Sequence, residues 1–146
     1  ARNNTLMSFT YLSLMIALYI ATKFCLYCAW CGILARLFKV RSDNGWIFAV
    51  NWGAARFAIG LAVGLPIGAL YVGLQNAALP NAASYLLAFG PIRLAEWGLL
   101  WWLIARRYPV PWGSKALWWI AGGAVLSMAC DGLALAAGAD QLKFVC

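Results

Sequence analysis

Residues 6–37 read LMSFTYLSLMIALYIATKFCLYCAWCGILARL, and this apolar run decides the class of fold. Between residue 6 and Arg36 it contains a single charged side chain, that of Lys23. A transmembrane helix needs about 20 mostly apolar residues, whereas the apolar core of a signal peptide has only about 7–15. We therefore predict a membrane span here, which must tilt or protrude because it exceeds the thickness of a bilayer.

The composition of the whole chain also indicates that its solvent is lipid. Of its 146 residues, 65% are hydrophobic and 10% are charged, whereas soluble domains average about 45–50% apolar and about 25% charged residues. A soluble protein of this size has too much surface to hide so many apolar side chains. This composition argues against an ordinary soluble enzyme, a disordered tail and a nucleic-acid-binding module. The sequence has no histidine, so we expect no histidine metal site, no bis-histidine haem and no cofactor.

Three further apolar stretches follow the first one. The sequence therefore predicts an all-α, polytopic integral membrane protein, a single transmembrane domain over residues 1–146 with four helices in a bundle. The spans are predicted at about residues 6–37, 46–74, 82–105 and 116–138. Helices are expected because the connections are too short, and the runs too apolar, for the strands of a membrane barrel.

Basic residues in the connections predict the orientation. They lie in the first and third connections: Arg36, Lys39, Arg41, Arg106, Arg107 and Lys115. The second connection, near residues 75–82, has no charge. Because cytoplasmic loops are enriched in Lys and Arg, both termini are predicted to lie outside. Positive inner loops next to alanine- and tryptophan-rich spans suit a bacterial inner membrane.

Every predicted span carries an ionisable residue near its centre. A rise of about 1.5 Å per residue brings five of them to one depth: Lys23, Arg56, Arg93, Glu96 and Asp131. Each costs at least about 2.5–3.5 kcal/mol if it faces lipid, so we expect them to pair. Arg93 and Glu96 share a helix face, and Asp131 has Arg56 or Lys23 within reach. This intramembrane charge cluster either locks helices or partners together, or forms a site for an anion or a proton.

A second pattern indicates close packing of helices. Gly60, Gly64 and Gly68 recur at every fourth residue of the second span and form a smooth stripe. Asn51 precedes this stripe and is positioned to hydrogen-bond across the same or an adjacent face. We expect these residues to pack helices inside the bundle or to dock a different subunit. The C-x-x-C-x-x-C repeat at residues 25–31 is interpreted as small packing residues rather than metal ligands.

Residues 50–55 (VNWGAA) resemble the N-x-G-A-A segment of the lipoprotein signal peptidase family, whose members are small four-span proteins with two catalytic aspartates. Residues 122–124 (GGA), ahead of Asp131, are similar to that family's segment before its first aspartate. The family's second aspartate motif is absent, and Gly132 stands where the family has arginine, so membership is not assigned. The enzyme alternative is a membrane-embedded aspartate-dependent hydrolase, with Asp131 and Asp140 as general base and acid.

A non-catalytic role is the functional expectation. We expect a small subunit of a larger membrane complex for transport, secretion or energy conversion, which docks through intramembrane charges and the glycine stripe. The expected partners are other membrane protein subunits and the anionic head groups of the bilayer, and nucleic acid is not among them. The alternative is a small transporter or channel component in which the mid-membrane charges line a path for an anion or a proton.

Overall fold

A computed structural model of the chain describes the backbone of residues 2–40, 44–76 and 81–136. Side chains are described for residues 13–40, 44–64 and 85–132. The described backbone is helical with short turns and contains no β-strand, so the all-α prediction is confirmed.

Four helices make up the fold, as the apolar runs predicted. They are α1 (Arg2–Leu37), α2 (Gly45–Asn76), α3 (Asn81–Arg107) and α4 (Ser114–Ala136). Their bounds lie within four residues of the predicted spans. By length and hydropathy, two described stretches are able to cross a membrane, namely Ser13–Leu37 of α1 and Gly45–Gly64 of α2.

The turn between α1 and α2 contains a helix stop and a helix start. The N–H of Val40 donates to the carbonyl oxygen of Ala35 at 3.0 Å, the bond that closes a Schellman motif. Lys39 holds the left-handed position of this motif with a φ of 48°, where glycine is the usual residue. Asn44 then caps α2, since its Oδ1 accepts the N–H of Trp46 at 3.1 Å.

The helices form a closed ring in which each packs against the next and α1 also packs against α4. Aromatic side chains fill its centre. Trp97, Trp101 and Trp119 are each at most 2% exposed, and the ring of Trp119 lies 5.1 Å from that of Trp97 and 5.8 Å from that of Trp101 between centroids. These aromatic contacts pack α3 against α4 in the core of the bundle.

Two glycines allow neighbouring helices to approach closely. A β-carbon on Gly53 of α2 would lie 2.5 Å from Sγ and 2.9 Å from Cα of Cys28 on α1. A β-carbon on Gly123 of α4 would lie 2.5 Å from the ring of Trp97 on α3. Any larger residue at either position would force the helices apart.

The exposed charged side chains that the structure describes lie at one end of the bundle. Among the described side chains, the exposed charged residues are all basic and flank the α1–α2 and α3–α4 connections: Arg36, Lys39, Arg106, Arg107 and Lys115. We call these five residues the basic rim. The two connections adjoin, because the ring of Phe48 lies 5.2 Å from the ring of Tyr108 between centroids.

Candidate functional site: a buried ionic chain

The five charged residues of the predicted cluster lie together inside the bundle. Each is at most 3% exposed. They alternate in sign along a continuous series of salt bridges that touches all four helices, and we call this series the ionic chain. Its order is Lys23, Asp131, Arg93, Glu96 and Arg56.

Asp131 occupies the centre of the first half of the ionic chain. Its Oδ1 lies 2.6 Å from Nζ of Lys23 and accepts the hydroxyl of Tyr19 at 2.6 Å. Its Oδ2 lies 3.0 Å from Nη2 of Arg93 and accepts the hydroxyl of Tyr85 at 2.7 Å. Two donors on each oxygen use the full accepting capacity of a carboxylate.

Glu96 joins the second half of the ionic chain through a single oxygen. Its Oε2 accepts Nη1 of Arg93 at 3.0 Å and Nη2 of Arg56 at 2.5 Å. The guanidinium carbon of Arg56 lies 4.9 Å from the ring centroid of Tyr27 and 5.0 Å from that of Trp97. Three cations and two carboxylates leave one surplus positive charge in the ionic chain, and cation–π contacts help to stabilise the guanidinium of Arg56.

Ser127 fixes the two rings that contact Arg56. Its Oγ accepts the indole N–H of Trp97 at 3.0 Å and donates to the hydroxyl of Tyr27 at 3.1 Å. Because the serine comes from α4, the arginine from α2, and the rings from α1 and α3, this group also draws on all four helices.

Some of the buried polar atoms of Arg56 and Glu96 have no hydrogen-bond partner in the described part of the chain. Among the described residues, Nε and Nη1 of Arg56 and Oε1 of Glu96 are buried without a hydrogen-bond partner. A buried polar atom without a partner costs about 1–3 kcal/mol. The Arg56 end of the ionic chain is thus less fully satisfied than the Asp131 end.

A reciprocal pair of hydrogen bonds joins α1 to α4 beside the ionic chain. The indole N–H of Trp30 donates to the carbonyl oxygen of Trp119, and the indole N–H of Trp119 donates to that of Trp30, each at 3.1 Å. Both backbone carbonyls already belong to helices, so the indoles use their second lone pairs.

No protein-family model, curated protein or solved structure matches the chain. The stretch at residues 50–55 lies on α2, where Asn51 is exposed, whereas Asp131 is buried. The second candidate aspartate of the hydrolase alternative, Asp140, lies outside the described residues.

The residues predicted to pack helices differ in their exposure. Gly60 and Gly64 are buried on α2. Gly68 lies outside the described side chains, and Asn51 is on the exposed surface of α2. The close approach documented for this helix is at Gly53.

Several residues of the site were not anticipated, although the sequence contains a signal for them. Tyr19 and Tyr27 lie four residues before and after Lys23, and Ser127 lies four residues before Asp131. Side chains four residues apart share a helix face. Polar groups at this spacing from a charge in a predicted span were therefore candidates for its hydrogen-bond partners.

The three cysteines of the C-x-x-C-x-x-C repeat differ in burial. Cys28 and Cys31 are buried, whereas Cys25 is exposed. Within the described part of the chain, no group of three or more His, Cys, Asp and Glu residues is arranged to hold a metal ion.

Proposed function

We propose that this chain is a non-catalytic integral membrane subunit with four membrane-spanning helices and both termini outside. The partition of charge carries this proposal. Every charged side chain that the structure describes belongs either to the buried ionic chain or to the basic rim. The exposed side chains between them are mainly apolar, with Leu18, Leu87 and Leu94 exposed by 54%, 61% and 48%. Buried charges beneath exposed leucines are the arrangement expected when lipid, rather than water, is the solvent.

In this proposal α3 and α4 cross the bilayer together with α1 and α2. Their internal charges, on Arg93, Glu96 and Asp131, are buried and paired, so lipid would meet only apolar side chains. α3 has 27 residues and α4 has 23. At 1.5 Å per residue these helices are about 40 Å and about 35 Å long, which exceeds a hydrocarbon core of about 30 Å.

The basic rim supports the proposed orientation. Positive residues concentrate on the cytoplasmic side of membrane proteins, so this end is assigned to the inside. The guanidinium carbon of Arg106 lies 4.5 Å from the ring centroid of Trp102, and tryptophan is enriched where lipid meets water. The bacterial inner membrane is the proposed location.

The ionic chain is proposed to lock the four helices together. Asp131 already accepts four donors, which suits a structural carboxylate better than a general base that must take a proton from water. An ion path needs contact with water, whereas the five residues of the ionic chain are at most 3% exposed. Because these charges pair within the chain, we propose that partner subunits dock on its apolar faces.

Membrane placement is tested by alkaline carbonate extraction and by labelling of introduced cysteines. We expect the full chain to stay with the membrane pellet. Cys146 is first replaced by serine in every variant, because the proposed orientation places it outside. In intact cells, a membrane-impermeant maleimide should then label a Gln75→Cys variant but leave a Lys115→Cys variant unlabelled. Release by carbonate would contradict the membrane assignment, and labelling of Lys115→Cys alone would reverse the orientation.

The subunit role is tested by purification in mild detergent followed by mass spectrometry. We expect other membrane proteins to co-purify in a fixed ratio, and the purified chain alone to be inert in liposomes. Chloride or proton flux through the chain alone, abolished by Asp131→Asn and retained by Lys115→Gln, would contradict the subunit role and favour a transporter.

A further inference from the structure

A groove of about 740 Å³ runs between α1 and α2 on the outside of the bundle. It begins at the basic rim, where Arg36 and Trp46 line it, and extends along α1 to Phe24. The ring of Phe24 packs edge-on against Phe57, with centroids 6.2 Å apart. Small residues such as Ala29 line the groove between its two ends, which keeps it open and apolar.

We propose that this groove binds the acyl chain of an anionic phospholipid of the inner leaflet, with the phosphate of the lipid on Arg36. This inference rests on the proposed membrane placement. Arg36 lies twelve residues after Phe24, which corresponds to about 18 Å along the helix. One leaflet contributes about half of a hydrocarbon core of about 30 Å, so the groove has the length of one leaflet.

The charge at the mouth of the groove matches a phospholipid head group. Arg36 is exposed at the rim and forms no salt bridge within the described part of the chain. A guanidinium binds phosphate through two parallel hydrogen bonds. Lys39 lies on the same rim, and Trp46, which is 73% exposed, is of the type that favours the head-group level.

A partner helix or a second copy of the chain is the competing occupant. A transmembrane helix would continue past mid-depth, whereas the groove ends at Phe24, next to the buried Lys23. A molecule with an anionic head and an apolar tail of leaflet length fits both features.

The experiment uses the purified full chain in phosphatidylcholine vesicles that contain a trace of spin-labelled phosphatidylglycerol. Parallel vesicles contain spin-labelled phosphatidylcholine. Electron paramagnetic resonance gives the motionally restricted fraction of each lipid. We expect phosphatidylglycerol to be preferred, and Arg36→Gln to lower its relative affinity about fivefold. The matched variant Lys115→Gln removes the same charge from the rim outside the groove and should have a clearly smaller effect.

A second pair of variants tests the groove itself. Ala29→Phe fills it and should remove the preference for phosphatidylglycerol, whereas Ala95→Phe, on the exposed surface of α3, should retain it. Equal effects of Arg36→Gln and Lys115→Gln, or an unchanged preference in Ala29→Phe, would overturn the lipid site. So would a Cys25-crosslinked dimer that excludes the labelled lipid. A chain that fails to integrate into the vesicles would overturn both proposals, whereas integration without lipid preference would overturn the lipid site alone.

Discussion

Asp131 is the residue on which the ionic chain depends, since its carboxylate joins α4 to Lys23 of α1 and to Arg93 of α3. Charges buried in this way are stabilised only by one another, because the interior does not solvate them. Removal of one partner therefore does more harm than the loss of a single contact, as the remaining charge stays buried without compensation.

We predict that Asp131→Asn lowers the free energy of unfolding by about 3–5 kcal/mol, because it removes the carboxylate that pairs with Lys23 and leaves Glu96 as the carboxylate partner of Arg93. The measurement is reversible unfolding of the purified chain in mixed detergent micelles. Lys115→Gln, which changes an exposed charge, should stay within about 0.5 kcal/mol of the unmodified chain.

A double-mutant cycle separates this pairing from general damage to the fold. The losses in Lys23→Met and Asp131→Asn should not add, because the double variant has fewer unpaired charges than the two single variants together. Strictly additive losses would show that Lys23 and Asp131 do not interact.

The depth of the five charges was predictable from the sequence, whereas their pairing was predictable only in part. A fixed rise per residue brings Lys23, Arg56, Arg93, Glu96 and Asp131 to one level. Which of them meet depends on the order of the helices in the ring and on the rotation of each helix about its axis. A single sequence encodes neither quantity directly, so the link from Arg56 to Glu96 was not anticipated.

At the scale of single helices, close contacts depend on where a β-carbon is missing. We predict that Gly53→Ala and Gly123→Ala each lower the free energy of unfolding by about 1–3 kcal/mol. The reason is that the added carbon meets the backbone of Cys28 or the buried ring of Trp97. The same unfolding assay measures the effect.

Gly98→Ala is the matched control on α3. A β-carbon at Gly98 meets nothing within 4 Å, so the variant should be neutral or up to about 1 kcal/mol more stable, as expected for alanine in a helix. Equal losses in all three variants would contradict close packing as the role of Gly53 and Gly123, because a β-carbon at Gly98 makes no such contact.

The glycine spacing in α2 correctly indicated the buried face of this helix, but it did not include Gly53, where α2 approaches α1 most closely among the described glycines. Gly60 and Gly64 are buried as members of the predicted stripe. Gly53, where α2 approaches α1, lies seven residues before Gly60 and therefore on the same face. Gly53 is not part of the four-residue repeat, because it lies seven residues, or two helical turns, before Gly60.

The Schellman motif that ends α1 places Lys39 in a strained backbone conformation. Lys39 has a φ of 48°, a conformation that costs residues other than glycine roughly 1–2 kcal/mol. We predict that Lys39→Gly raises the midpoint of thermal unfolding in detergent, because glycine adopts this conformation without strain.

Lys39→Val is the companion variant, since a β-branched side chain tolerates positive φ least. It should unfold at a lower temperature than the unmodified chain. If Lys39→Gly and Lys39→Val both lowered the midpoint equally, the lysine side chain rather than the backbone would be the stabilising element.

At the scale of the whole molecule, the ionic chain connects the two halves of the bundle. Lys23 and Arg56 come from α1 and α2, and their carboxylate partners Asp131 and Glu96 come from α4 and α3. We predict that two co-expressed pieces, separated between residues 76 and 81, assemble and co-purify through a tag on one of them.

The control variants for this experiment are substitutions in the second piece. Asp131→Asn combined with Glu96→Gln should strongly reduce recovery of the untagged piece, whereas Gly98→Ala should leave it unchanged. Equal recovery of all three versions would show that apolar packing alone holds the halves together.

The distance along the sequence between Lys23 and Asp131 has a consequence for synthesis of the protein in a membrane. The two residues are 108 positions apart, and a ribosome adds roughly 5–20 residues per second. The first helix therefore emerges about 5–20 seconds before the aspartate that neutralises its lysine. In the proposed membrane placement, Lys23 needs until then a more hydrated environment than lipid tails, such as the insertion machinery offers. We therefore expect the early helices to stay there, and the bundle to enter the lipid as one unit after the last helix is made.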